Sequence, residues 1–141
     1  MHPDLVAGKK LDFGVTVFSE NDIIDFAKAF DPLDFHTDIE VAKKSFFKGL
    51  VASGPHIFNY TYRKHWVPLF GKTVLAGKEI LNWKFLKPIY ANQKISCTCE
   101  IRDMKINPEK NFVEVTWFYD YRNEKQEQVQ TVLLVVLHKI S

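Results

Sequence analysis

A carboxylate and an imidazole five residues apart, Asp31 and His36, lie in the stretch FAKAFDPLDFHTDIEVAKKSFFKGLVASG that runs from Phe26 to Gly54. Together they are the parts of an acid/base site. Asp31 precedes Pro32, whose ring disfavours the α region for the residue before it, so a preceding helix should end at Asp31 with the carboxylate free. His36 stands immediately before Thr37-Asp38-Ile39-Glu40, which reads as a capping box, so its ring should lie beside the positive end of a short helix and be biased towards the neutral form. A neutral imidazole takes or gives a proton near pH 7. Farther on, Ser53 suits an N-cap and Pro55 a first helical turn, so a second, longer helix should open at Ser53-Gly54-Pro55.

The elements that must carry these residues follow from periodicity. Residues 11 to 18 alternate as a first strand, and Ser19 to Asp22 start a helix that sets Ile23, Phe26, Ala27 and Phe30 on one face. Val41, Ala42 and Phe46 mark a short helix ending near Gly49. The helix from Ser53 should run through His65 and stop before Pro68. It has apolar residues on two faces, so it should be largely enclosed, and there is no Asp or Glu from Leu50 to Phe70. Four strands are expected over Glu79 to Phe85, Lys94 to Arg102, Phe112 to Arg122 and Val129 to Lys139, with a short addition at Thr73 to Ala76. Their short connections imply antiparallel pairing. The order predicts an α+β domain over residues 1–141, a curved antiparallel sheet wrapped around one long helix, without repeats, linkers or a second domain.

Composition narrows the partners. A net charge of +2 with interspersed lysines and acids argues against a nucleic-acid surface. No leader opens the chain and no apolar run reaches membrane-spanning length, so no membrane partner and a cytoplasmic location are expected. Cys97 and Cys99, two apart in a strand, point to one face, cannot bridge each other without strain, and read as reduced structural thiols rather than metal ligands. Twelve phenylalanines in 141 residues are more than a small two-layer interior needs, and some should line a subunit interface or an acyl pocket.

The residues Phe26-Ala27, Asp31-Pro32, Phe35-His36-Thr37-Asp38, Ala42, Gly49 to Gly54 and Phe85-Leu86-Lys87-Pro88-Ile89 resemble the MaoC-like dehydratases and R-specific enoyl-CoA hydratases, a family of the hot-dog fold. The hydratase form of the motif resembles Gly-Asp-x-Asn-Pro-x-His. Here the chain reads Phe30-Asp31-Pro32-Leu33-Asp34-Phe35-His36, with Leu33, which cannot hydrogen-bond, in place of the Asn, and Pro55 in place of an aromatic after Gly54. A branch of the family resembles Asp-Pro-x-x-Phe-His followed by Ala-Ser-Gly, and this chain fits it.

The resemblance implies water addition to, or removal from, an enoyl-CoA or acyl-carrier thioester. Asp31 and His36 would hold the water, the Gly54 N–H would face the thioester oxygen, and Ser53 would point at the water or cap its helix. Phe30, Phe35, Phe47 and Pro55 would contact substrate. Coenzyme A enters as part of the substrate, no cofactor or metal is implied, and a homodimer is the expected minimum unit. Two rivals remain. A hot-dog thioesterase would place an Asp or Glu on the long helix, which has neither; a non-catalytic acyl-binding or structural subunit would keep the pair by descent. The plainer readings are that Asp31 is a turn acid and His36 a capping histidine. By the same measure His56 and His65 are helix-surface or interface residues, His138 is structural, and Phe30, Phe35, Phe46 and Phe47 are core first and acyl-chain contacts second. Lys48, Arg63, Lys84 and Lys87 could meet the phosphates of coenzyme A or simply solvate a face.

Overall fold

Strand β1 (Lys10–Val17) leads into helix α1 (Glu20–Phe30) through a capping box: the Asp22 N–H donates to Ser19 Oγ at 3.1 Å, and the Ser19 N–H donates to the Asp22 carboxylate at 3.2 Å. The computed structural model describes residues 1–141. α1 ends at Asp31, whose N–H donates to the Ala27 carbonyl at 2.8 Å while its own backbone leaves the helical region before Pro32, at φ −156° and ψ 67°. Ile23 and Ala27 are buried, but Phe30, expected on the same face, is 75% exposed at the last residue of the helix.

A single turn, α2 (Asp34–Thr37), carries His36, and α3 (Ile39–Lys43) follows. The expected Thr37/Glu40 capping box is not formed. Asp38 caps α3 instead, accepting the Val41 N–H on Oδ1 at 3.0 Å, because Thr37 is already inside α2, where its hydroxyl donates to the Leu33 carbonyl. Of the three residues expected to mark this helix, Ala42 is buried, whereas Val41 and Phe46 are exposed and Phe46 lies beyond its end.

The long helix departs from expectation at Pro68. α4 (Gly54–Thr61) passes into a π-helical turn (Tyr62–Trp66) and on into α5 (Val67–Phe70), with a 3₁₀ turn over Gly71–Thr73. The Val67 N–H reaches back five residues to the Tyr62 carbonyl. The widened turn delivers Pro68 to the second position of α5, where its ring and missing N–H are tolerated, so the chain continues through a residue that would ordinarily end it.

Strands β2 (Val74–Phe85), β3 (Lys94–Asn107), β4 (Phe112–Arg122) and β5 (Gln128–Lys139) complete a five-stranded antiparallel sheet in the order β1-β3-β4-β5-β2. The expected short strand at Thr73 to Ala76 is the beginning of β2. Register shifts interrupt every pair, three of them between β2 and β5, and such bulges bend a sheet. On the inner face Val113, Val115, Trp117, Tyr119 and Tyr121 are buried in strict alternation. The helix lies on them: Trp66 meets Trp117 edge-on at 5.4 Å, Phe58 meets Tyr119 at 5.0 Å, and Thr61 Oγ1 lies 2.5 Å from the Tyr121 hydroxyl. Cys97 and Cys99 are free and buried; burial pushes the Cys97 thiol up to about 12, which leaves it unreactive.

Candidate active site

Backbone bonds bring the acid/base pair to the start of α4. The Val51 N–H donates to the Phe35 carbonyl at 3.3 Å, the Ala52 N–H donates to the Ile89 carbonyl at 2.8 Å, and Val51 bridges to Tyr90. Residues 51 and 52 are thereby tied between the His36 turn and the segment after β2. The chain then enters α4 directly beneath Asp31.

His36 is buried, and its Nδ1 lies 2.6 Å from the Val51 carbonyl oxygen. A carbonyl only accepts, so Nδ1 carries the hydrogen and Nε2 of the neutral ring holds a lone pair. Nε2 faces Asp31 Oδ2 at 3.4 Å. The ring is therefore oriented by a backbone carbonyl, rather than by the helix start that the sequence suggested. Two acceptors in that relation are satisfied by a shared proton or by one water donating to both. Ser53, fully buried, donates from Oγ to the same Asp31 oxygen at 2.8 Å. It occupies the N-cap position of α4 without making a side-chain cap, because its hydroxyl is committed to the carboxylate.

Gly54 is the first residue of α4, where an N–H has no partner within the helix, and no other backbone carbonyl accepts it. A Cβ at this position would fall 2.1 to 2.9 Å from three atoms of the Phe85 ring. Glycine leaves room here for an aromatic ring from β2 that lies directly on it.

A cleft of about 420 Å³ opens over these groups, within the range of small-molecule sites. Asp31, His36, Gly54, Phe35, Phe47 and Pro55 all line it. Phe30 does not. It points into a separate groove with Phe26, His56, Asn59, Tyr60, Arg63 and Lys64, because a residue at the last turn of α1 sits on the opposite side of the Asp31 bend. Sequence reasoning missed Gln130 as a lining residue, ranked Phe46 as core ahead of an acyl contact, and valued Val51, Phe85 and Leu86 only as part of a motif. Gln130 had a readable signal, a polar residue inside the apolar run Val129 to Leu137. The Val51 carbonyl had none, since any residue supplies one.

Of the remaining candidates, Lys87 lines the cleft but pairs with Glu127, and Arg63 belongs to the second groove. His56 is buried rather than on a helix surface, its ring stacked parallel on Phe26 at 4.3 Å. That burial lowers its pKa, only partly opposed by Asp22. His65 stacks on Phe13 at 5.3 Å.

Comparison with known proteins identifies the family and the fold. Residues 3–119 match the family model described as MaoC like domain. The chain is 32% identical over 124 residues to the uncharacterized protein YdeM of Bacillus subtilis (strain 168), covering 86% of each. Among solved structures it superposes on a monoamine oxidase regulatory protein from Archaeoglobus with a TM-score of 0.87 at 23% identity, over 99% of this chain and 94% of that one. It also superposes on a MaoC-like dehydratase from Rhodospirillum rubrum with a TM-score of 0.84 at 26% identity, over 96% and 94%. The sheet and its central helix are the hot-dog fold of these structures.

Proposed function

The chain belongs to the MaoC-like dehydratase family, and from that premise we propose that it adds water to, or removes it from, an enoyl thioester of the coenzyme A or acyl-carrier type. The observation that carries the reading is the 3.4 Å approach of His36 Nε2 to Asp31 Oδ2, with Nδ1 engaged by the Val51 carbonyl. A water donating one hydrogen to each acceptor presents its oxygen to the β-carbon of the substrate. As the C–O bond forms, one water proton passes to the pair and the C=C electrons move onto the thioester oxygen. The Gly54 N–H, free at a helix start, faces that developing charge. The pair then delivers its proton to the α-carbon, so the water contributes one hydroxyl and one hydrogen and nothing else is consumed. No cofactor or metal takes part in this scheme.

A thioesterase is disfavoured because the helix from Gly54 to Phe70 carries no carboxylate. We further propose a homodimer. β2 is an edge strand with an unpaired side, and Leu75, Ile80, Leu81 and Phe85 along it are exposed. Phe85 and Leu86 also line the cleft, so a second copy on that edge would wall the open side of the site.

The test is crotonyl-CoA incubated with purified protein, following loss of the conjugated thioester absorbance. Asp31→Asn and His36→Ala are each expected to lower kcat by about 10²–10⁴-fold. Unchanged rates in these variants would refute the assignment. Thiol release would indicate a thioesterase, and no turnover at any chain length a binding protein.

A further inference from the structure

Gln130 stands on β5 opposite Tyr121 of β4 and Phe85 of β2, so the three side chains project to one face of the sheet. That face is the one α4 covers, since Tyr121 meets Thr61 and the Phe85 ring lies on Gly54. Gln130 is 1% exposed, it lines the cleft, and its Nε2 has no hydrogen-bond partner. An amide buried in that condition carries a desolvation cost that a leucine or methionine of similar size would not. Phe35, Val51, Ala52 and Ile89, which also line the cleft, offer no side-chain acceptor.

Depth decides what reaches the amide. The Asp31 side chain is 31% exposed and Phe85 59%, whereas Gln130 is 1% exposed, so we take Gln130 as belonging to the inner wall of the cleft. The nucleotide of coenzyme A, or a carrier protein, is too bulky to pass inward and stays outside, while the slender arm that bears the thioester brings it to the acid/base pair. The thioester oxygen already has the Gly54 N–H. What passes the acid/base pair and arrives at Gln130 is the distal part of the acyl chain. A carboxylate there would be a buried charge without a cation, because Lys87, the one cation lining the cleft, is paired with Glu127.

We propose that Gln130 is the specificity-determining residue of the cleft, hydrogen-bonding a neutral oxygen substituent, a hydroxyl or ketone, on the acyl chain, so that the substrate class is an oxygenated acyl thioester rather than a plain alkyl one. A hydroxyl satisfies the carboxamide whichever way its oxygen and nitrogen are turned. The inference rests on the thioester reading of the site but not on its chemistry, and binding separates the two.

The experiment measures binding of hexanoyl-CoA, 4-hydroxyhexanoyl-CoA, 5-hydroxyhexanoyl-CoA and 5-oxohexanoyl-CoA by calorimetry, and turnover of the matching 2-enoyl-CoAs. The expected result is a preference of at least tenfold for one oxygenated chain over hexanoyl-CoA in the wild type. Gln130→Leu should abolish or reverse that ratio, and Gln130→Met should do the same if the leucine variant fails to fold. Tighter binding of hexanoyl-CoA by the wild type, equal weakening of all four ligands in both variants, or no binding of any acyl-CoA would each overturn the proposal. Oxygen-selective binding without enoyl turnover would support it while sinking the hydratase reading.

Discussion

Ser53 Oγ and His36 Nε2 converge on the same carboxylate oxygen of Asp31, and a backbone carbonyl holds the far side of the imidazole. Each of the three side chains therefore has one polar atom committed to protein, which fixes its rotamer, and Nε2 and Oδ2, 3.4 Å apart, can both be reached by one water lying to their side. Gly54 completes the site only while it lacks a side chain. In Gly54→Ala the new methyl meets the Phe85 ring at under 3 Å, so the ring must swing. Phe85 is more than half exposed and can do so, which makes the expected stability loss small, about 1 kcal/mol or less. Enoyl thioester turnover should nevertheless fall by at least tenfold because the displaced ring enters the cleft it lines. Adding Phe85→Ala should recover a substantial part of that loss. Steady-state kinetics of the single and double variants check this, and a double variant no faster than Gly54→Ala would show that the ring is not the cause.

At the scale of elements, the far end of the sheet is joined to the 3₁₀ turn after α5 by one buried histidine. Thr73 Oγ1 donates to the Phe70 carbonyl and so accepts from His138 Nδ1, at 2.7 Å. The Trp117 indole N–H donates to His138 Nε2 at 3.2 Å. Both ring nitrogens are thus satisfied in one neutral tautomer, and a second proton would confront the indole N–H. Burial, with His2 nearby, lowers the His138 pKa from 6.5 to about 4. Between those values the unfolded chain binds the extra proton and the folded one does not, so stability rises with pH across the window and is lost as pH falls. The shift corresponds to about 3 kcal/mol. Urea unfolding at pH 7 and pH 4 should show the wild type losing about that much more than His138→Gln, and equal losses would remove His138 as the cause. The same region shows a limit of pattern reading. Pro68 signals a helix end by its own chemistry, and only the π-helical turn before it, held over Trp117 by Trp66, lets the helix continue.

At the scale of the whole molecule, the sheet is closed by neither edge, and β2 presents twelve residues of backbone with apolar side chains outward. A long edge of that kind is covered in stable proteins. The expected outcome of sedimentation is a dimer, twice the 16.4 kDa chain. Ile80→Lys, a charge in the exposed middle of that strand, should shift the protein towards monomer and lower turnover with it, since Phe85 and Leu86 serve both edge and cleft. A monomeric wild type, or a dimer indifferent to this substitution, would place the contact elsewhere.

Sequence by itself determined the class of fold, the antiparallel strands and the end of α1 at Asp31, and it singled out Asp31, His36, Ser53 and Gly54, which the structure brings close together. These depend on local physics: alternation along a strand, the restriction before proline, and the turn chemistry around it. Tertiary structure decided which of those side chains face one another. It turned Phe30 into another groove, fixed the His36 tautomer through Val51, drew Ser53 from its cap to Asp31, and laid Phe85 on Gly54. It also left a buried amide at Gln130 without a partner. Such relations arise between residues fifteen or more apart in the chain, where the packing of the sheet against its helix, and no local propensity, sets distance and direction.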